Sequence, residues 1–338
     1  MLTAKNLRGN WGTLLLPVNK NDSIDYIRLG EEIELLIGAG LDGMYSNGTA
    51  GEFHNQSETE FDRVQVIMAE KCQALNMPFQ IGASHPVPLI TLERIKRTVS
   101  LKPDAFQVIL PDWVVTGEEE QICFLERIGE AAGNIPLVLY NPPHAKSVLS
   151  PADLSRISRV IPRIIGIKTG AGDATWYKEM RSLSPDLSVF VPGHLLATGV
   201  QEKVAAGAYS NVACLSPQGS QKWWRLMDPL RPNERPSPGQ LPGDPAGNPS
   251  PKGLAPDQPS ADLSAALEIQ GRILEFFDRC IVPYKKAGYS NPALDKFLAA
   301  IGGWADIGTR LRWPYKYIDE KDVAPARTIA RQLLGEFF

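Results

Sequence analysis

Apolar residues in the first part of the chain gather in eight short runs: 12–18, 43–46, 79–83, 105–110, 137–140, 164–168, 188–191 and 208–215. The runs are rich in Val, Ile, Leu and Phe and mostly lack apolar–polar alternation. Strands buried on both faces of a parallel sheet have this texture. Helical spacing fills the intervals. At 26–39, Ile27, Ile33, Leu36 and Ile37 share one side, and Gly38 and Gly40 mark the stop. Ser57 with Glu60 has the form of a capping box ahead of Phe61, Val64 and Met68. Segments 118–132, 151–160, 173–183 and 195–206 read the same way, with Pro151 in a first turn. Eight strand–helix units predict an α/β fold, a TIM (β/α)8 barrel. A doubly wound open sheet is the alternative that the pattern leaves open.

The texture breaks after residue 228. Between 229 and 259, 10 of 31 residues are Pro and 4 are Gly. Such a stretch holds neither a helix nor a central strand. Residues 229–260 are therefore expected to form a flexible insert between a barrel at 1–228 and a C-terminal helical extension at 261–338. Helical periodicity returns there at 263–277, 292–300 and 324–338.

Composition narrows the class. Hydrophobic residues make up 43% of 338, enough for a large core, and the formal net charge is −3. Bulk charge gives no basic surface for nucleic acid and no polybasic membrane anchor. No apolar stretch approaches the roughly 18 residues of a membrane span, and residues 1–10 do not open a secretory leader. Cys72, Cys123, Cys214 and Cys280 lie far apart with no C-x-x-C pair. A reduced, cytoplasmic chain without a disulfide framework or zinc ribbon is the expectation.

In a βα barrel the chemistry sits at the C-terminal strand ends. Here these carry Asn47 to Thr49, His85, Asp112 and Trp113, Tyr140, Lys168, and Ser210 with Asn211. Lys168 closes the apolar run Ile164-Ile165-Gly166-Ile167. Burial would lower its pKa and leave a neutral amine that attacks carbonyls. The same run is also that of a strand ending where it meets water. Tyr140, one strand away, could relay protons, or be a core tyrosine with a wet hydroxyl. Gly48-Thr49-Ala50-Gly51-Glu52 could hold a carboxylate through its N–H groups and the Thr49 hydroxyl, or be a plain turn. The histidines His54, His85, His144 and His194 show no metal-ligand spacing, and no phosphate-binding glycine motif is present. No metal and no cofactor are expected. Trp223-Trp224 and Phe276-Phe277 read as core or contact aromatics.

Three of these features fall in an order that resembles the dihydrodipicolinate synthase / N-acetylneuraminate lyase family of class I aldolases. The likeness covers roughly residues 10–215. Gly48 to Glu52 is similar to the family's G-T/S-T-G-E carboxylate loop, Tyr140-Asn141-Pro142-Pro143 to its Tyr-Asn-x-Pro strand end, and Gly166-Ile167-Lys168 to its Gly-x-Lys strand. The resemblance implies that Lys168 forms a Schiff base with pyruvate or a related 2-oxo acid. It implies that Thr49 and the Ala50 N–H hold the carboxylate, with Gly48 in the same loop, and that Tyr140 moves protons. It also implies a homo-oligomer, tetramer or dimer. Ser210 is a further candidate for holding substrate.

Three positions depart from the pattern. Ala50 replaces the loop's second hydroxyl residue. Trp113 stands where the synthases carry a tyrosine that reaches a neighbouring subunit. Ala145 stands where they carry a carboxylate-gripping arginine, leaving His144 or Lys146 as single-charge substitutes. These changes argue for a lyase or aldolase with a different acceptor, such as a sugar acid or an aromatic aldehyde. A keto-deoxy sugar acid dehydratase, dihydrodipicolinate synthase itself and a non-catalytic carboxylate-binding homologue remain as alternatives.

Overall fold

Eight parallel strands close into a barrel in chain order. They are β1 (Gly9–Thr13), β2 (Gly43–Tyr45), β3 (Phe79–Gly82), β4 (Ala105–Val108), β5 (Leu137–Asn141), β6 (Ile164–Thr169), β7 (Ser188–Pro192) and β8 (Ala205–Tyr209), with β8 pairing back onto β1. The helices between them are α1 (Tyr26–Gly38), α2 (Glu58–Ala74), α3 (Pro88–Thr98), α4 (Glu118–Ala132), α5 (Pro151–Val160), α6 (Ala174–Arg181) and α7 (Leu196–Gln201). After β8 come α8 (Asn211–Leu215) and α9 (Pro217–Met227). The final group is α10 (Asp262–Cys280), α11 (Val282–Lys286), α12 (Asn291–Gly302) and α13 (Val323–Leu333). The computed structural model describes residues 2–183, 186–228 and 262–338. The Pro-rich segment at 229–260 lies outside the described residues.

The barrel interior is a small cluster of Leu7, Trp11, Tyr45, Val138, Phe190 and Tyr209. A larger core fills the space between strands and helices. Period-two alternation explains the division: Leu139, Ile167 and Val189 face out, whereas Val138, Lys168 and Phe190 face in. Trp223 and Trp224 on α9 are buried, and Phe276 and Phe277 on α10 pack in the outer core. Trp223 Nε1 donates to the Ala266 carbonyl at 2.9 Å, tying α9 to α10. Helix α12 packs on α8, and α10 on α7, so the C-terminal helices cover the β7–β8 side of the barrel.

Local capping follows the sequence. Ser57 and Glu60 form the capping box of α2, and Ser150 with Asp153 forms one on α5, where Pro151 takes the first turn. Two runs are corrected. The first strand is Gly9–Thr13, not 12–18, because Leu14–Leu16 are already loop residues packed against helices. The eighth is Ala205–Tyr209, and 211–215 is the helix α8, whose apolar residues pack against α12, α9 and β1 instead of extending the sheet. The helical segment at 195–206 ends early as well. Lys203 adopts φ 57°, which ends α7 and leaves Ala205 free to enter β8.

Candidate active site

Tyr140 and Lys168 are register partners across β5 and β6, so both side chains enter the barrel at the same level. Lys168 Nζ donates to Tyr45 Oη at 3.0 Å. It lies 4.4, 4.2 and 5.4 Å from the ring centroids of Tyr45, Tyr140 and Tyr209. Thr13 Oγ1 donates to the same Tyr45 oxygen at 2.6 Å, and Tyr209 Oη donates to Gln80 Oε1 at 2.8 Å. The amine therefore sits in a cup of three phenol rings. Burial pulls its pKa from 10.5 down to about 7, against the opposing charges of Asp295 and Cys214. A substantial share of the amine is then unprotonated at neutral pH, which is the form that attacks a carbonyl. Burial pushes the Tyr140 phenol up to about 12. It remains protonated and able to donate.

The loop after β2 is held in a defined shape. Gly48 lies against the amine: a Cβ there would meet Tyr45 at 2.7 Å and Lys168 Nζ at 3.1 Å. At Gly51 a Cβ would come within 2.8 Å of the Asn47 nitrogen. Asn47 and Glu52, neither of them glycine, sit in the left-handed region at φ 52° and 53°. Amide side chains tie the loop down. Ser46 Oγ donates to Gln65, Gln65 to Asn47, Asn47 to Gln56, and Gln56 to the Gly51 carbonyl. Glu52 is buried and ion-paired at 2.6 Å with Lys296 of α12, itself fully buried. Strained backbone of this kind persists only where its surroundings over-determine it. The result presents Thr49 to the barrel mouth, where its Oγ1 lies 3.2 Å from Tyr140 Oη.

Two cavities adjoin at that mouth. The lysine cavity, about 470 Å³, includes Lys168, Thr49, Ala50, Tyr140, His194 and Asp295 in its lining. The neighbouring cavity, about 510 Å³, is more apolar and includes Trp113, His144, Ala145, His54, Tyr289 and Tyr315. Thr49, Tyr140, Lys285 and Asn291 line both. Burial lowers the His144 and His194 pKa values, favouring neutral imidazoles.

The structure thus brings Lys168, Tyr140, Thr49, Ala50 and Gly48 together. Trp113 and His144 belong to the second cavity, and Trp113 is 78% exposed. Lys146 is engaged elsewhere. Its Nζ donates to the Trp113 carbonyl at 2.7 Å and lies 4.6 Å from the indole centroid. Ser210 does not line the lysine cavity. Its Oγ caps α8 by accepting from the Ala213 N–H at 3.0 Å. His85 likewise turns to its own chain, accepting the Val87 N–H at 2.9 Å.

Sequence reasoning passed over Tyr45, Tyr209, Thr13 and Asp295. The first three lay in or beside strands already marked, but nothing in an apolar run says which face looks inward. Asp295 had a visible signal, the charged pair Asp295-Lys296 in the middle of an otherwise apolar helix. Among the described residues, no group of three or more His, Cys, Asp or Glu is placed to hold a metal ion. No described helix is long and apolar enough to cross a membrane.

The chain is a closed (β/α)8 barrel with a buried lysine on its sixth strand. A model of the Dihydrodipicolinate synthetase family matches residues 6–217, and the chain belongs to that family, whose members are lyases of the class I aldolase type. The chain is 27% identical over 191 residues to the N-acetylneuraminate lyase of Escherichia coli (strain K12 / DH10B), a match covering 55% of this chain and 63% of that one. A prophage protein of the dihydrodipicolinic acid synthase family from E. coli K12, solved with pyruvate, superposes with a TM-score of 0.76 at 19% identity over 97% of this chain and 99% of that one. A catalytic lysine mutant of the Ruminococcus gnavus sialic acid aldolase gives 0.78 at 16% identity over the whole of both chains.

Proposed function

We propose that this protein is a Schiff-base lyase whose Lys168 condenses with pyruvate or a related 2-oxo acid. The observation that carries the reading is the lysine amine held among three phenol rings with its pKa near 7. Lys168 Nζ attacks C2 of the oxo acid and water leaves; in a 4-hydroxy substrate the C4 hydroxyl then loses its proton, the C3–C4 bond breaks to release an aldehyde, and its electron pair forms the C2=C3 bond as the C=N pair moves onto nitrogen. Thr49 Oγ1 and the Ala50 N–H take the carboxylate. Tyr140, protonated and 3.2 Å from Thr49, supplies the proton that the departing hydroxyl needs. The pyruvate complex of the prophage relative supports this choice of donor.

The second cavity takes the remaining part of the substrate. Its apolar lining, with Trp113 at the rim and Ala145 in place of the expected arginine, argues against the lysine-biosynthesis reaction and for a sugar acid or aromatic aldehyde portion. Exposed Trp113, Val114 and Val115 supply an apolar surface that suits a homo-oligomer. Sedimentation of the full chain tests that point, and a monomer at micromolar concentration would remove it.

The test of the function is intact mass after incubation with pyruvate and sodium borohydride, with Lys168→Ala in parallel. A single adduct of reduced pyruvate that disappears in the variant is the expected result. A folded wild type that traps neither pyruvate nor larger 2-oxo acids would overturn the proposal.

A further inference from the structure

Helix α12 turns one stripe toward the lysine cavity. Asn291, Leu294, Asp295 and Leu298, at helical spacing, all line it. Asp295 is the charged member, half-buried at the cavity wall. Its position is fixed. The next residue, Lys296, is fully buried, pairs with Glu52 at 2.6 Å and donates to the Arg310 carbonyl at 2.7 Å. That clamp locks α12 onto the loop that presents Thr49. The Asp295 charge acts on Lys168 of β6, Tyr45 of β2, Tyr140 of β5 and Cys214 of α8. His194, Asp278 and Lys285 line the same cavity.

We propose that Asp295 is the catalytic acid–base at C3 of the substrate, an assignment that rests on the Schiff-base reading of Lys168. Its carboxylate takes a proton from C3 of the Lys168-bound iminium. The C3–H electron pair becomes the C2=C3 bond, and the C=N π pair moves onto nitrogen, giving a neutral enamine and a protonated Asp295. In the lyase direction the carboxyl returns the proton to C3 of the enamine left by carbon–carbon cleavage. Burial lifts the carboxyl from 3.8 to about 7, whereas the Tyr140 phenol is held near 12. A base matched to neutral pH outperforms a phenol at this step.

The test separates imine formation from proton transfer. Wild type, Asp295→Asn and Lys168→Ala are compared for borohydride trapping of pyruvate and for deuterium wash-in at the pyruvate methyl group in D2O. Asp295→Asn is expected still to trap pyruvate, with its pH midpoint shifted down by the loss of the opposing charge on Lys168, and to exchange on the order of 100-fold more slowly. Replacing the carboxyl with an amide removes a charge that its surroundings disfavour, so the variant should melt no lower than the wild type. Asp295→Ala provides the second arm: added formate should restore its exchange and leave the wild type unchanged, which a merely structural role would not produce. Wild-type exchange in a trapping-competent Asp295→Asn overturns the proposal alone. Absence of trapping in the wild type overturns the Lys168 reading, and this assignment with it.

Discussion

Lys168 Nζ lies 3.0 Å from the phenol oxygen of Tyr45, and that oxygen also accepts from Thr13 Oγ1. Two influences therefore compete at the amine. Burial favours the neutral form, and the Tyr45 oxygen favours the ammonium, which alone has a proton to spare in every direction. Removing the oxygen while keeping the ring should tilt the balance. Tyr45→Phe is expected to lower the midpoint of pH-dependent imine trapping by cyanoborohydride by about 0.7 pH unit, the equivalent of a hydrogen bond of about 1 kcal/mol. A midpoint that stays or rises would show that the oxygen does not hold the proton on Lys168.

The same amine links stability to pH. An unfolded lysine keeps its proton up to about 10.5, whereas the folded one releases it near 7. Between those values the unfolded chain binds more protons, so this group makes the fold more stable as pH rises. Lys168→Met removes the dependence. Chemical denaturation at pH 7 and 9.5 should show the wild type gaining about 2 kcal/mol on the variant across that interval, after discounting for solvent in the cavity. Equal slopes for the two proteins would contradict the lowered pKa.

The Glu52–Lys296 pair is buried on both sides. Breaking one partner strands a charge, so Lys296→Met should cost about 3–5 kcal/mol in urea denaturation. Adding Glu52→Gln removes the stranded carboxylate and should recover much of that loss. A single variant within experimental error of the wild type would show that the pair does not anchor α12.

How much of this was readable beforehand follows from the distances involved. Helices α4 and α5 were legible to the residue because their signals are local: a glutamate-rich first turn in one, a capping box with Pro151 in the other. Lys168, Tyr140 and the loop at Thr49 each close a strand at a known end of a barrel, but that position fits a plain strand end or turn as well, and it was the family resemblance that singled them out. The limits of β1 and β8 were not. Leu14–Leu16 and 211–215 are apolar because helices cover them, and an apolar run does not say what covers it. Ser210 illustrates the same limit. A serine after a strand serves as readily to cap the next helix as to touch a ligand, and only the Ala213 N–H at 3.0 Å decides it. Asp295 reaches the site from more than a hundred residues beyond Lys168, in a helix that no local pattern connects to the barrel mouth.

The clamp between α12 and the loop after β2 has a consequence for synthesis on the ribosome. All eight strands, and with them Lys168, Tyr140 and Thr49, precede residue 210. Asp295 and Lys296 emerge only much later. A nascent barrel that closes early carries its reactive lysine with the α12 side of the mouth still open and Glu52 still without its counter-charge. The mouth is completed last, by the arrival of a helix that belongs to no strand–helix unit and that brings Glu52 its buried partner.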